Sequence, residues 1–376
     1  MKHMRHPTLL GGFVLGTLLL SACAHVAPGV IYSMTPSVGA ASPTETPPAS
    51  GPLILAFDAV DQTTAWIVTD QALLATTDGG QSWKAVAGAD VAGVRALLVL
   101  GTQHLVLASL GGADSLDAVV RTSLDGGLRW QESRLQTHGQ PGDVRLAASD
   151  TLLVAQVVQT TSSNFSQADL FVSRQGGVFE RRPAPAAGMV SITGADALWL
   201  AGGVLGERLW RSADAGLTWS EVRLPFPAGL EIGVSAPQRV ADRLLLPVTI
   251  DGPATQEAWL TSTDDGATWR QVTLVAVGGD SGPGALPMSR AGDRVVVASP
   301  AGGLFAVTAA GRSLAPISPN GLPLGGIRLR FTSASAGWAV VTQNGCLSGK
   351  SQCFEIDRLF STIDGGQTWE EAQVPG

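Results

Sequence analysis

From residue 53 onward, short apolar runs alternate with polar turns that are rich in glycine and aspartate. The runs come in pairs, for example AWIV followed by ALLATT near Trp66, and LWLAG followed by RLWRS near Trp199. None of these segments shows the 3.6-residue periodicity of an amphipathic helix. Short apolar runs separated by turns are typical of β-hairpins, so the pattern predicts an all-β chain.

The second run of each pair enters an octapeptide of the form Ser/Thr-x-Asp-x-Gly-x-x-Trp, which occurs in five copies. Its aspartates are Asp78, Asp125, Asp214, Asp264 and Asp364, and its tryptophans are Trp83, Trp130, Trp219, Trp269 and Trp369. Two intervals between the aspartates, 89 and 100 residues, are about double the other two, 47 and 50 residues. Degraded copies, SRQGGVF at 173–179 and TAAGRSL at 308–314, fall in the two long intervals.

Seven units of about 46 residues each match the size of a four-stranded propeller blade. The expected fold is therefore a seven-bladed β-propeller of four-stranded antiparallel blades over residues 53–376. Every unit is complete in chain order, and the last one ends with a strand at 369–374. Blade 1 should then meet blade 7 mainly by side-chain packing, without a swapped closing strand.

The octapeptide resembles the Asp box, also called the BNR repeat, and the copies span the whole domain. In such a turn the aspartate accepts hydrogen bonds from turn amides, and glycine supplies backbone angles closed to other residues. The tryptophan folds back into the apolar layer between sheets. We therefore interpret the five aspartates as structural, and all ten tryptophans as packing residues at repeat positions rather than as sugar-binding platforms.

As a whole, the domain resembles the seven-bladed Asp-box propellers of the photosystem II assembly-factor type. The last unit matches them most fully, from Gly337-Trp338-Ala339-Val340 to the box that ends at Trp369. The resemblance implies a non-enzymatic protein that binds protein partners during assembly of a membrane complex, and some family members are lipoproteins. The family's arginine-rich patch has no obvious counterpart, because the densest basic cluster is Arg174, Arg181 and Arg182.

Asp boxes also occur in sialidases, whose chemistry requires a nucleophilic tyrosine. This chain has a single tyrosine, Tyr32, which lies outside the repeats, so sialidase activity is not expected. Other Asp-box glycosidases use a pair of carboxylates. The sequence leaves such a pair open among the carboxylates outside the boxes, which include Asp58, Asp143, Asp196, Glu231 and Asp357. No catalytic residue is assigned.

The N-terminus has the features of an export signal. Lys2 and Arg5 precede an apolar stretch, Leu9–Leu20, that is too short to cross a bilayer core of about 30 Å as a helix. The stretch ends in Leu20-Ser21-Ala22-Cys23, which resembles a bacterial lipobox. We expect residues 1–22 to be a lipoprotein signal peptide and Cys23 to be acylated. The alternative is an ordinary secretory signal with an incidental cysteine.

Residues 23–52 are rich in proline, serine and threonine and are predicted to tether the propeller to the lipid. The remaining cysteines, Cys346 and Cys353, form an even pair in a chain predicted to be exported, which favours a disulfide over two free thiols. No zinc-ligand spacing or phosphate-binding glycine loop is found, so neither a metal nor a cofactor is expected.

Composition adds two limits. With 15% charged and 45% apolar residues, the chain can bury a core and is not disordered as a whole. Its net charge of −7 makes it a poor binder of nucleic acid. The sequence thus predicts a lipid-anchored, extracytoplasmic, non-enzymatic propeller, in the outer membrane or periplasm or on the cell surface, that binds a protein partner or assembles a membrane complex. The alternative is a cell-surface protein that binds or cleaves a glycan.

Overall fold

A computed structural model describes residues 51–375, apart from 113–114, 161–166, 175–176, 204–205, 253–254, 277–285, 299–302, 309–313 and 347–352. The signal peptide, Cys23 and almost all of the tether therefore lie outside the described residues. Within them, the regular structure consists of 29 β-strands. No helix in this described part is long and apolar enough to cross a membrane.

The strands form seven antiparallel sheets, one for each repeat unit, as the sequence predicts. Blade 1 contains β1 (Ile54–Ala59), β2 (Ala65–Thr69), β3 (Leu73–Thr76) and β4 (Lys84–Ala85). Blade 2 contains β5 (Val94–Val99), β6 (Leu105–Leu110), β7 (Asp117–Ser123) and β8 (Gln131–Gln136). Blade 3 contains β9 (Pro141–Ala148), β10 (Leu152–Gln159), β11 (Ala168–Arg174) and β12 (Glu180–Arg182). Blade 4 contains β13 (Gly188–Ile192), β14 (Leu198–Gly202), β15 (Arg208–Ser212) and β16 (Ser220–Val222).

The last three sheets repeat this arrangement. Blade 5 contains β17 (Ile232–Val234), β18 (Gln238–Val240), β19 (Arg243–Ile250), β20 (Gln256–Ser262) and β21 (Arg270–Ala276). Blade 6 contains β22 (Met288–Ala291), β23 (Arg294–Ala298), β24 (Leu304–Thr308) and β25 (Leu314–Ile317). Blade 7 contains β26 (Gly326–Phe331), β27 (Gly337–Cys346), β28 (Cys353–Thr362) and β29 (Glu370–Ala372).

Blade 5 differs from the expected four strands because its first strand is split. Both β17 and β18 pair with β19, on either side of residues 235–237. Pro237 lies in this break, and its lack of an N–H removes one ladder hydrogen bond. The two short strands β17 and β18 thus together take the place of one first strand, and both stay paired with β19.

Each sheet is ordered by its own consecutive strands, so none of the described strands is exchanged between the first and last blades. The expected closure by side-chain packing is confirmed. Ala65 and Ile67 of blade 1 belong to one buried apolar cluster with Trp338, Val340 and Leu359 of blade 7. Six further buried clusters fill the rest of the described domain.

Candidate functional site

The five octapeptides form the same hydrogen-bonded turn. The hydroxyl at position 1 donates to the aspartate Oδ1 over 2.7 to 2.9 Å. That hydroxyl also accepts from the glycine amide at position 5, over 2.7 to 3.0 Å. The amide at position 7 donates to the same carboxylate oxygen over 2.8 to 2.9 Å. These carboxylates are thereby engaged within their own turns.

The residue at position 7 of the octapeptide also affects the pKa of the aspartate at position 3. Where it is serine or threonine, its side-chain hydroxyl donates a further hydrogen bond and lowers the pKa of the aspartate to about 2. This holds for Asp78, Asp214, Asp264 and Asp364. In the second box this position is Arg129, and the pKa of Asp125 is lowered chiefly by its backbone hydrogen bond. Such acids stay ionised at neutral pH, which suits a hydrogen-bond acceptor in a turn.

The tryptophans lie inside the molecule. Trp66, Trp199 and Trp338, at the equivalent position of three blades, are at most 4% exposed. Trp199 packs edge-on against the box residue Trp269, with ring centroids 5.8 Å apart. The ten tryptophans are all buried or half-buried, so the described surface carries no exposed indole on which a sugar ring could stack.

The carboxylates considered for an acid/base pair are spread over the fold. Asp58, Asp143, Asp196 and Asp357 belong to blades 1, 3, 4 and 7, and Glu231 lies just before blade 5. Four of them have an arginine partner. These ion pairs join Asp58 to Arg330, Asp143 to Arg145, Asp196 to Arg174, and Asp357 to Arg328.

A cavity of about 700 Å³ lies where the first strands of five blades converge, which in a propeller is the mouth of the central channel. Blades 1, 2, 5, 6 and 7 contribute its lining, which includes Gln238, Met288, Arg290 and Arg330. Arg290 and Arg330 are the charged side chains of this lining, and none of its described residues carries a carboxylate. Its single aromatic ring, Phe331, is only 3% exposed. We call this cavity the channel mouth.

The two arginines differ in their partners. Arg330 Nε contacts Asp58 Oδ1 at 2.6 Å, and Asp58 also accepts from the amides of Val99 (2.7 Å) and Ala59 (2.8 Å). Burial raises the pKa of Asp58, and the arginine charge and these amides oppose that rise. Arg290 donates to the Gly292 carbonyl at 3.1 Å, and it has no ion-pair partner among the described residues. The channel mouth therefore holds one uncompensated positive charge.

Sequence reasoning missed both arginines of the channel mouth, Arg290 and Arg330, and the sequence carries a signal for Arg330. Arg328 and Arg330 alternate with apolar residues in Gly-Ile-Arg-Leu-Arg-Phe, a period of two that places both on one face of β26. This alternation indicates from the sequence alone that Arg328 and Arg330 lie on the same face of the strand. By contrast, the predicted basic cluster is neutralised locally. Its partners are Asp196 for Arg174, Asp169 for Arg181 and Glu180 for Arg182.

A second cavity, of about 620 Å³, lies beside β28. Its charged lining residues are Asp357, Arg358 and Glu371. Arg358 is paired with Glu371, and Asp357 with Arg328. Because these charges already have protein partners, this groove offers a ligand less than the channel mouth does.

Several predicted features cannot be placed. Cys23 and the rest of residues 1–50 lie outside the described residues, as does the centre of the degraded copy at 308–314. For the cysteine pair only the backbone is described, and the register places Cys346 directly opposite Cys353. Opposite Cα atoms of antiparallel strands lie about 4.5 to 5.5 Å apart, a distance that a disulfide can bridge. Because the cysteine side chains are not described, the disulfide stays a prediction. In the described part of the chain, no three His, Cys, Asp or Glu residues come together as a metal site.

No protein-family model and no curated protein matches this chain. Among solved structures, YCF48 bound to D1 peptide is 16% identical, with a TM-score of 0.49 and coverage of 77% of this chain and 91% of that chain. The RRP9 WD40 repeats are 12% identical, with a TM-score of 0.51 and coverage of 77% and 87%. A prolyl endopeptidase is 12% identical, with a TM-score of 0.51 and coverage of 86% of this chain and 51% of that chain. WD40 repeats form β-propellers, so this likeness agrees with the fold described above.

Proposed function

We propose that this chain is a lipid-anchored, extracytoplasmic propeller that binds a protein partner at its channel mouth and assists assembly of a membrane complex. The observation that carries the proposal is the charge of the mouth. Arg290 and Arg330 are its charged lining residues, and within the described part of the chain only Arg330 has a carboxylate partner. An arginine without an ion-pair partner is a common anchor for an acidic side chain of a partner protein.

The described lining of the channel mouth lacks the carboxylate pair and the aromatic wall that sugar chemistry needs. Glycoside hydrolysis requires two carboxyl groups that face each other across the substrate. The carboxylate that pairs with Arg330 of the mouth, Asp58, is 3% exposed and is held by that arginine and two amides. An aromatic wall for a sugar ring is also missing from the described lining. These observations favour binding of a protein over binding or cleavage of a glycan.

Site-specific photocrosslinking in native membranes tests the proposal. A photoreactive amino acid at Gln238 would sit in the channel mouth, and the same residue at Gln131, exposed on β8, is the matched control. We expect a discrete protein adduct from position 238 and none from 131. Arg290→Ala should reduce the adduct about tenfold, the effect of losing roughly 1.4 kcal/mol of binding free energy.

The anchor is tested in the same strains. Cys23→Ala should release the protein from the membrane fraction, because acylation at that cysteine is the proposed attachment. Membrane retention of this variant would contradict the anchor without bearing on the mouth. If position 238 yields no protein adduct and Arg290→Ala instead abolishes binding on a glycan array, the glycan alternative replaces the protein partner.

A further inference from the structure

One buried acid has no role in the turns or in the channel mouth. Glu257, on β20, is 0% exposed, and neither of its carboxyl oxygens has a hydrogen-bond partner. Trp259 Nε1 and Thr261 Oγ1 follow at intervals of two residues and are also buried without partners. Residues two apart on a strand share a face, so three unpartnered polar groups line one face of β20.

This face of β20 packs against blade 6. Trp259 shares a buried cluster with Leu245 of its own blade and with Leu286, Val295, Val297 and Val307 of blade 6. We call the contact between blades 5 and 6 the seam; apart from these three polar groups, the side chains of this cluster are apolar. A carboxylate buried in such surroundings without a partner costs several kcal/mol.

The charged side chains of the strands around Glu257 do not compensate it. Among the described residues they are Arg243 of β19, Arg270 of β21, Arg290 of β22, Arg294 of β23, and Arg239 of β18, which is paired with Asp265. Register places Glu257 opposite Thr249, near the end of β19, whereas Arg243 is its first residue, and Arg270 is aligned with Thr261 at the far end of β20. None of these arginines forms an ion pair with Glu257.

The seam between blades 3 and 4 shows the contrast. Its buried polar residue, Gln156, is 1% exposed, accepts from the Gly188 amide at 3.1 Å and donates to the Ala186 carbonyl at 3.4 Å. Burial raises the pKa of the Glu257 carboxyl to about 7. The Trp259 indole N–H is near the carboxyl and offsets part of that rise, although the two groups are not in hydrogen-bond geometry. Near neutral pH, the seam between blades 5 and 6 thus holds an acid that is close to losing its proton.

We propose that the seam between blades 5 and 6 is a pH-sensitive joint, closed while Glu257 carries its proton and loosened when the carboxyl ionises. The joint leads directly to the channel mouth. Met288 packs against the seam, and the same strand, β22, supplies Arg290 to the mouth. Loosening of the seam frees β22 to shift, so alkaline pH should weaken whatever binds at Arg290.

Hydrogen exchange measured by mass spectrometry tests the joint independently of any ligand. Peptides from β20 and β23 are followed in the wild-type chain and in Glu257→Gln between pH 5.5 and 8, and peptides from β10 and β13 serve as an internal control. Taking about 4.5 as the pKa of the glutamate once the seam opens, linkage predicts that the opening equilibrium rises roughly 30-fold more in the wild type than in the variant. Intrinsic exchange rates cancel because the two proteins are compared at each pH.

A second non-titrating variant, Glu257→Met, guards against an effect specific to the glutamine amide. Both variants should lack the extra alkaline opening, while the control peptides should behave alike in all three proteins. An equal rise in opening in the wild type and in both variants would overturn the proposal. So would an extra opening of the wild type that appears in the control peptides to the same extent.

Discussion

The glycine at position 5 of each octapeptide lies where one blade touches its neighbour, and Gly266 of blade 5 is the tightest case. Its φ of +83° is a left-handed conformation, and a Cβ at this position would lie 2.1 Å from the ring of Trp199 in blade 4. Trp199 is 0% exposed and packs edge-on against Trp269. The indole therefore has little freedom to move aside, and Gly266→Ala is predicted to be strongly destabilising.

Two costs add in this variant. A left-handed backbone costs an alanine about 1 to 2 kcal/mol, and overpacking a filled core costs about 1 to 3 kcal/mol more. Together they predict a loss of about 2 to 5 kcal/mol in the free energy of unfolding. Gly88 is the matched control, because its φ is +77° and a Cβ there would meet nothing within 4 Å. Gly88→Ala should lose only the backbone part, about 1 to 2 kcal/mol.

Urea unfolding followed by circular dichroism gives both losses. A double-mutant cycle with Trp199→Leu then isolates the steric part, since removing the indole should bring the cost of Gly266→Ala down to that of Gly88→Ala. Equal losses for the two glycine variants, or a zero coupling energy between Gly266→Ala and Trp199→Leu, would refute the packing argument.

Two further predictions concern single side chains. Cys346→Ser should lower the unfolding free energy by about 2 to 3 kcal/mol in oxidising buffer, as expected for a disulfide that closes a short loop; unchanged stability there, or the same loss in reducing buffer, would contradict the disulfide. For Asp169, burial acts to raise its pKa, but hydrogen bonds from His138, Gln159 and Arg181 outweigh burial and hold the pKa below its usual value. A carboxyl of this kind stabilises the fold above its unfolded pKa of about 4 and loses that effect as pH falls. Asp169→Asn should therefore be less stable than the wild type at pH 7, with a difference that shrinks below pH 4 in urea unfolding; a constant difference across this range would argue against it.

The fold was predictable because each repeat contains the residues that form its own turn. Hydroxyl, aspartate and glycine of the octapeptide specify a turn locally, and the spacing of the aspartates counts the blades even though two copies have lost their aspartate. The split first strand of blade 5 was harder to foresee, since a proline at 237 is compatible with either a break or an edge. The partner of a side chain in another blade lies tens of residues away and leaves no local pattern. For that reason the environments of Glu257 and Arg290 emerged only from the structure.

Closure of the ring explains two of the carboxylates that the sequence left open as catalytic candidates. Asp357 accepts from the Ile54 amide of blade 1 at 2.8 Å and from the Thr342 hydroxyl at 2.5 Å. From blade 7, Arg328 donates to the Ile54 carbonyl at 2.6 Å, while the neighbouring arginine of β26 reaches Asp58 of blade 1. Because no described strand is exchanged between blades 1 and 7, main-chain pairing among the described strands does not fix how these blades align, and apolar packing alone tolerates sliding. Buried charges are costly unless their partners are in place. The hydrogen bonds and ion pairs of Asp58, Asp357 and the two arginines of β26 therefore favour the observed alignment of blades 1 and 7, and they account for both carboxylates.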